Sequence, residues 1–278
     1  MGLRRKSNYR TAAPREPRAQ AGSLRPAALK LAADAGMALL GVALLVGFFF
    51  LSRLILETIK SSQSFRLRTV IVEGNAKFST EAVMALGQLE RGMSIFDVTP
   101  AAVETRIERN PWIKDAQVKR VWPDAVAVTV RERTVAATVL VGEALYIVDP
   151  DGEIFERHPE GKPLSTVLIT GIEEEQVLSS RVLVEEELRR ILQFLDRYEK
   201  MGLMAAASVG EIHRETGGGL VVYTRTEARE ICFGKGQYIR KLKNLRLLLE
   251  RLRKEKREWE YILLDSDSTP DRMIVKLR

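Results

Sequence analysis

AGMALLGVALLVGFFFLS, residues 35–52, carries no charge in 18 consecutive positions. Coiled as a helix rising about 1.5 Å per residue, it would be about 27 Å long, close to the roughly 30 Å hydrocarbon core of a bilayer. Arg53 follows, and then Leu54, Ile55 and Leu56 resume the apolar run. A long cationic side chain near a helix end can reach the headgroups, so the pattern predicts one transmembrane helix over residues 35–56. A core helix of a soluble protein would be shorter or show a polar face. A cleaved signal peptide would have a shorter apolar part and a small-residue cleavage site, but RLILETIKSSQS follows here. Gly36, Gly41 and Gly47 do not form a G-x-x-x-G pair, which favours positioning over specific helix pairing.

The chain has 278 residues and a formal net charge of +7. Eight basic residues, Arg4, Arg5, Lys6, Arg10, Arg15, Arg18, Arg25 and Lys30, precede the apolar run against Glu16 and Asp34. Six of the seven net charges therefore lie in the first 34 residues, and the body is nearly neutral. Basic flanks stay cytoplasmic, which places the N-terminus inside and the large C-terminal part outside. The same placement removes nucleic acid as a partner of the body. Residues 1–34 read as a disordered basic tail, and residues 57–64 as a polar linker. Cys232 is the single cysteine, so the exported part has no intrachain disulfide and must fold on its own core. His158 and His213 stand far apart, and no common zinc spacing exists.

From Phe65 the pattern changes. RTVIVE at 68–73 is rich in β-branched residues and ends at Gly74-Asn75, a turn signal. Ser79 is placed to cap a helix through Glu81, Val83, Met84 and Leu86. Thr99 and Pro100 start a second helix, with Pro100 where a missing N–H costs nothing and Val103 and Ile107 as its apolar stripe. Asn110-Pro111 stops it. Two strands follow, at 116–121 and through the clean alternation Val126, Val128, Val130, joined by Trp122-Pro123-Asp124. The order β-α-α-β-β over about 70 residues suits one small α+β domain.

These residues carry a resemblance. VIVEGN at 70–75, G-x-S-I-F-D-V at 92–98, NPWIKDAQVKRVWPD at 110–124 and V-x-V-R-E-R at 128–133 together resemble a POTRA domain. More narrowly, they resemble the POTRA domain of the bacterial cell-division family FtsQ/DivIB, which is also preceded by a single membrane helix. POTRA domains of outer-membrane assembly proteins continue into a β-barrel, which this chain lacks the length and pattern to form.

In the second half, residues 145–148 and 154–155 read as strands around the turn Asp149-Pro150-Asp151-Gly152. Residues 163–170 read as extended, ending at Gly171. Residues 185–200 form an amphipathic helix with Leu188, Ile191, Leu192, Leu195 and Tyr198 on one face. Residues 209–213, 220–224 and 230–233 read as short strands. Residues 237–254 form a second amphipathic helix with Ile239, Leu242, Leu245, Leu248, Leu249 and Leu252 inward. Strands at 261–264 and 272–277 close the chain. The whole is α+β: an N-terminal transmembrane helix, a POTRA-type domain at 65–133, and a β domain at 134–278 of antiparallel sheet with two helices. I-x-F-G at 231–234 and K-L-x-N-L at 241–245 are similar to the FtsQ β domain.

No catalytic motif stands out. Gly234-Lys235-Gly236 lacks the Walker and G-x-G-x-x-G spacings and reads as a strand-to-helix turn. Asp265, Asp267 and Asp271 lack the glycine and glutamate of an EF-hand and read as a solvated turn. Glu173–Glu175 and Glu185–Glu187 read as solvated charges at a loop or helix start. Cys232 reads as a small buried hydrophobe. No catalytic, cofactor-binding or metal-binding residue is expected.

An interaction role has more support. A terminal strand often lies at a sheet edge, where unpaired backbone groups can accept another chain. Alternation puts Met273, Val275 and Leu277 on one face, assigned to the helices, and Arg272, Ile274, Lys276 and Arg278 on the other. Ile274 is then an apolar contact for a partner, or the charged flanks merely block aggregation. The resemblance favours the first. FtsQ-like proteins bind the FtsB–FtsL pair by adding a partner strand at the end of the β domain. By position this implies the turn residues Asp267 and Ser268 and the strand residues Arg272, Ile274, Val275 and Lys276. Where the family commonly has Y-x-D-L-R, this chain has YILLD at 261–265, so recognition is expected to rest on backbone hydrogen bonds. In the POTRA half the resemblance associates the second strand and its flanking helix with recruitment to the division site. The expectation is a non-catalytic, single-pass inner-membrane scaffold at the division septum that helps control septal peptidoglycan synthesis. The alternatives are a POTRA-type secretion or assembly chaperone and a membrane-anchored cell-wall enzyme.

Overall fold

The computed structural model describes residues 24–264 and 273–278. They fall into two compact units that meet at Ser62 and Gln63. The first is a single helix, α1 (Leu24–Ser61). Its stretch Asp34–Thr58 is long and apolar enough to cross a membrane, and none of it is buried against the rest of the chain. The hydroxyls of Ser52 and Thr58 donate to the helix's own carbonyls of Phe49 and Leu54, each at 2.8 Å. Such internal bonds satisfy these two hydroxyl donors without water. The helix is longer than expected at both ends. It begins at Leu24, inside the segment read as a disordered tail, and it runs through residues 57–61, read as linker. Neither end carries a strong breaker, since Pro26 sits in the first turn, where its missing N–H is an orphan anyway.

The second unit opens with β1 (Thr69–Glu73), α2 (Thr80–Gly87), α3 (Pro100–Glu108), β2 (Ile113–Val121) and β3 (Ala125–Glu132). The three strands form a sheet in the order β1-β3-β2, with β1 parallel and β2 antiparallel to the central β3. The clean valine alternation of β3 explains its central place. Val126, Val128 and Val130 are buried under Val83, Met84, Val103 and Ile107 of the two helices. Ser79 caps α2 as expected, accepting from the N–H of Ala82 at 3.1 Å. Thr99 stands at the N-cap of α3 but makes no side-chain cap bond. Glu132 closes the turn after β1, accepting from the N–H groups of Ala76, Lys77 and Phe78 at 2.9, 2.8 and 3.1 Å. Burial alone would raise this carboxyl, but the three donors outweigh it and hold it below the ordinary carboxylate range.

The chain continues through β4 (Ala137–Val141), β5 (Ala144–Val148), β6 (Ile154–Arg157), β7 (Val167–Ile172), α4 (Glu174–Lys200), β8 (Val209–Arg214), β9 (Leu220–Thr224), β10 (Glu230–Gly234), α5 (Tyr238–Lys254), β11 (Trp259–Leu263) and β12 (Ile274–Leu277). These strands make one sheet in the order β12-β11-β10-β9-β8-β7-β4-β5-β6. The sheet is mixed and not antiparallel throughout. The pairs β4–β7, β7–β8 and β10–β11 are parallel. The helices explain two of the three, since a strand–helix–strand crossover through α4 or α5 returns the chain in its starting direction.

Several local expectations are corrected. β4 was not anticipated, because no turn signal marks its start. The extended run of 163–170 narrows to β7, which continues through Gly171 to Ile172. Gly171 has φ +84°, and a Cβ there would stand 2.0 Å from the Arg214 carbonyl oxygen. α4 starts at Glu174, eleven residues before its expected start, with a break at Ser180. Ile239 is 49% exposed. Gln237 adopts a left-handed conformation at the helix start, and Tyr238 takes the inward place against Phe194 at 5.4 Å. Cys232 is half-buried on the face away from the helices, and its Sγ donates to Glu230 Oε1 at 2.9 Å. Lys241 is buried, and its ammonium donates to the carbonyls of Phe233 at 2.7 Å and Lys235 at 3.1 Å. Those carbonyls offset the loss of water around a charge.

The two sheets are joined by an ionic cluster. The buried Asp149 accepts at Oδ1 from the N–H groups of Asp151 and Glu153, both at 3.0 Å. Its Oδ2 receives Lys114 Nζ of β2 at 3.0 Å and the Arg133 guanidinium. Arg133 also binds Glu153 at 2.6 Å, and Lys114 reaches Asp151 and Glu153. Trp112 meets Phe155 edge-on at 5.2 Å beside the cluster. Removing a buried charge from such a network strands its partners. Asp149→Ala is therefore expected to cost about 3–5 kcal/mol in a denaturant melt. The hydrogen bond and charge of Lys114 hold the Asp151 carboxyl below its ordinary range. Burial would raise Glu153, but Arg133 and Lys114 reverse that. Carboxyls lowered in the folded state stabilise above their unfolded pKa of about 4, and the benefit is lost as pH falls through the folded values. Melting temperature should fall steeply below about pH 4 in the wild type and less steeply in Lys114→Met.

Candidate partner-binding edge

α5 carries the chain back beside β10, so β11 runs parallel to it and β12 becomes one of the two outermost strands, with β6 at the far end. β12 pairs antiparallel with β11 through Ile262↔Val275 and Leu263↔Ile274. Met273 and Val275 pack on the core beneath the helices, as the alternation requires. Ile274 points the other way and is 47% exposed. Leu277, expected to pack on the helices, is 40% exposed. A bulge between Trp259 and Tyr261 shifts the register there and releases it from the inward face.

Of the six residues expected at the site, Ile274, Val275 and Lys276 lie on this edge strand. Val275 is turned inward, so it can offer a partner only its backbone. Asp267, Ser268 and Arg272 lie outside the described residues, as do Asp265 and Asp271.

Register across the sheet sets what surrounds Ile274. It ends a row that runs Thr170–His213–Val221–Cys232–Leu263–Ile274 on the face away from the helices. The neighbouring row is Leu168–Glu211–Tyr223–Glu230–Tyr261–Lys276. Burial first, and then the nearby carboxylates Glu230 and Glu211, push the Tyr223 hydroxyl up, so it stays a neutral donor.

Two further clusters bring ionisable and hydroxyl side chains together. Asp149 and Glu153 converge, but on Lys114 and Arg133, which neutralise them. Thr170 Oγ1 lies 2.8 Å from His213 Nδ1 and donates to Glu211 at 2.6 Å.

Residues 65–133 match the family described as POTRA domain, FtsQ-type, and residues 137–264 match Cell division protein FtsQ/DivIB, C-terminal. A cell division protein FtsQ of Syntrophotalea carbinolica is 30% identical over 217 residues, 78% of this chain and 76% of its own. The chain belongs to the FtsQ/DivIB family of cell division proteins. A second FtsQ, from Anaeromyxobacter sp. (strain K), is 33% identical over 216 residues, 78% of this chain and 73% of its own. A DivIB of Clostridium tetani is 28% identical over 108 residues, 39% of this chain and 41% of its own. The C-terminal match ends at residue 264, so β12 lies beyond it.

In this FtsQ-family chain, the end of β12 is held by residues that no local pattern marked. Arg229 binds Glu227 at 3.0 Å and also Glu258, and its guanidinium stacks 5.2 Å from the Trp259 ring. Burial would lower the Arg229 pKa, but the two carboxylates keep it raised and the side chain charged. Arg278 joins the cluster, with its guanidinium 3.2 Å from Glu227 and its N–H donating to the Glu258 carbonyl at 3.1 Å. Removing Arg229 should loosen the edge without unfolding the core. Arg229→Met is expected to speed amide exchange at residues 275–277 about tenfold by mass spectrometry. The global melt should change little.

Proposed function

We propose that this FtsQ/DivIB-family protein is a non-catalytic, single-span scaffold of the division machinery. Residues 1–34 lie in the cytoplasm, α1 crosses the inner membrane within Asp34–Thr58, and residues 63–278 lie outside the cytoplasm at the septum. There the protein recruits an FtsB–FtsL-like pair, whose chain adds a strand to β12, and so helps control septal peptidoglycan synthesis. The observation that carries this reading is the position of β12 as an outer strand of the nine-stranded sheet, at the opposite end from β6, with Ile274 exposed on it. An outer strand offers a ladder of backbone donors and acceptors, and Ile274 adds an exposed apolar contact beside it. The basic flank of the apolar helix supports the orientation.

Ile274→Glu tests the edge. Its side chain is on the open face, so the thermal melt should stay within about 0.5 kcal/mol of wild type. Affinity for a co-expressed FtsB–FtsL pair should fall about tenfold or more, because a carboxylate must be desolvated at the new interface. Undiminished co-purification of the variant would reject β12 as the docking strand.

A further inference from the structure

Three aromatic rings meet on the surface of the three-stranded unit. Phe65 closes the short turn Gln63–Phe65, Phe96 lies between α2 and α3, and Trp122 lies in the β2–β3 turn. Ring centroids stand 5.4 Å apart for Phe65–Phe96, 5.2 Å for Phe96–Trp122 and 6.2 Å for Phe65–Trp122. None of the three belongs to the buried core beneath α2 and α3. Trp122 is 53% exposed, and Val121 and Pro123 beside it are exposed as well.

The adjoining segments are cationic. Arg66, Arg68, Arg91, Lys119 and Arg120 stand against the carboxylates Glu90, Asp97 and Asp124. Arg120 donates to the Val98 carbonyl at 2.7 Å and so holds the Phe96 segment in place. Arg66 donates to the Gly92 carbonyl at 2.8 Å. The Arg68 guanidinium stays mostly in solvent, 3.8 Å from Asp124. The patch is therefore built: rigid rings, exposed at the tip, with arginines tied down at their sides.

We propose that this aromatic patch docks on the phospholipid headgroup layer, with Trp122 inserted at the interface and the exposed Arg66 and Arg68 facing lipid phosphates. The proposal rests on the reading that Asp34–Thr58 spans a bilayer. Chain length supports the lipid as occupant. Phe65 lies seven positions after Thr58. At no more than about 3.5 Å per residue, the ring stays within about 25 Å of the end of the span. Chemistry supports it too. Tryptophan has an apolar body and one N–H donor, which suits the boundary between hydrocarbon and headgroups. Arginine presents a planar fork that matches phosphate oxygens. A membrane helix restrains the tether alone, whereas a second contact would fix which face of the unit meets the membrane.

The test uses the full chain in nanodiscs of phosphatidylethanolamine and phosphatidylglycerol doped with a phospholipid spin-labelled near its headgroup. The protein has three tryptophans, Trp112, Trp122 and Trp259. The expected result is quenching of about one third of the emission, lost in Trp122→Phe, which keeps an aromatic ring in the cluster. Trp122→Phe should melt like the wild type. Quenching that is absent, or unchanged in Trp122→Phe, in particles that co-elute with lipid would overturn the docking and leave the span intact. A chain that does not co-elute with nanodiscs removes the span, and the docking with it.

Discussion

Asp149 is a buried carboxylate shared by two halves of the chain. Its backbone neighbours saturate one oxygen, and Lys114 and Arg133 share the other. Lys114 belongs to β2 of the small sheet, Arg133 follows β3, and Asp149 stands in the turn after β5 of the large one. A charge in that position is tolerable only if every lone pair is used. The consequence is geometric. The small sheet holds its place on the large one by hydrogen-bonded charges with fixed directions, which constrain angle more sharply than apolar contact does. Gly152 completes the turn with φ +83°, where a Cβ would strike the Glu185 carbonyl and the Arg189 backbone of α4. The junction is thereby seated on the long helix as well.

From that seat the large sheet extends strand by strand to β12. Two crossovers, through α4 and α5, set its length and leave β12 at one end of the sheet, with β6 at the other. The same two helices cover only one face. The other face presents mixed rows of tyrosine, carboxylate and aliphatic side chains that end at Ile274 and Lys276. The scaffolding role proposed above and this half-covered, open-edged sheet are consistent with each other.

Much of this was legible in the chain. The valine alternation of β3, the caps at Ser79 and Thr99, and the stop at Asn110-Pro111 are local signals, and the small domain follows them closely. The inward faces of α4 and α5 follow from the leucine spacing, except at Ile239. What escaped was set by contacts distant in sequence. The first turns of α4 expose Leu178, Val182 and Leu183, so no amphipathic stripe announced them. Those turns wall a groove of ≈ 620 Å³ with Tyr146 and Ile154. Lys241, which no local pattern marked as inward, is buried, because carbonyls at the end of β10 and in the turn after it receive its ammonium. Glu258 and Arg278 reach the local Arg229–Glu227 pair only through the pairing of β10, β11 and β12.

By itself the sequence determined the apolar helix, the charge asymmetry around it, the α+β class and the family. Each of these is written in adjacent residues, through hydropathy, capping and periods of two or 3.6. It also separated the two faces of the last strand, with Val275 inward and Ile274 outward. Tertiary structure alone decided that β12 is an edge, that three strand pairs run parallel, and that Asp149 joins the two sheets. The physical reason is the same in each case. Alternation specifies which way a side chain points, but not which strand lies beside it, and neighbours in a sheet are chosen by the helices that must be covered and the charges that must be paired.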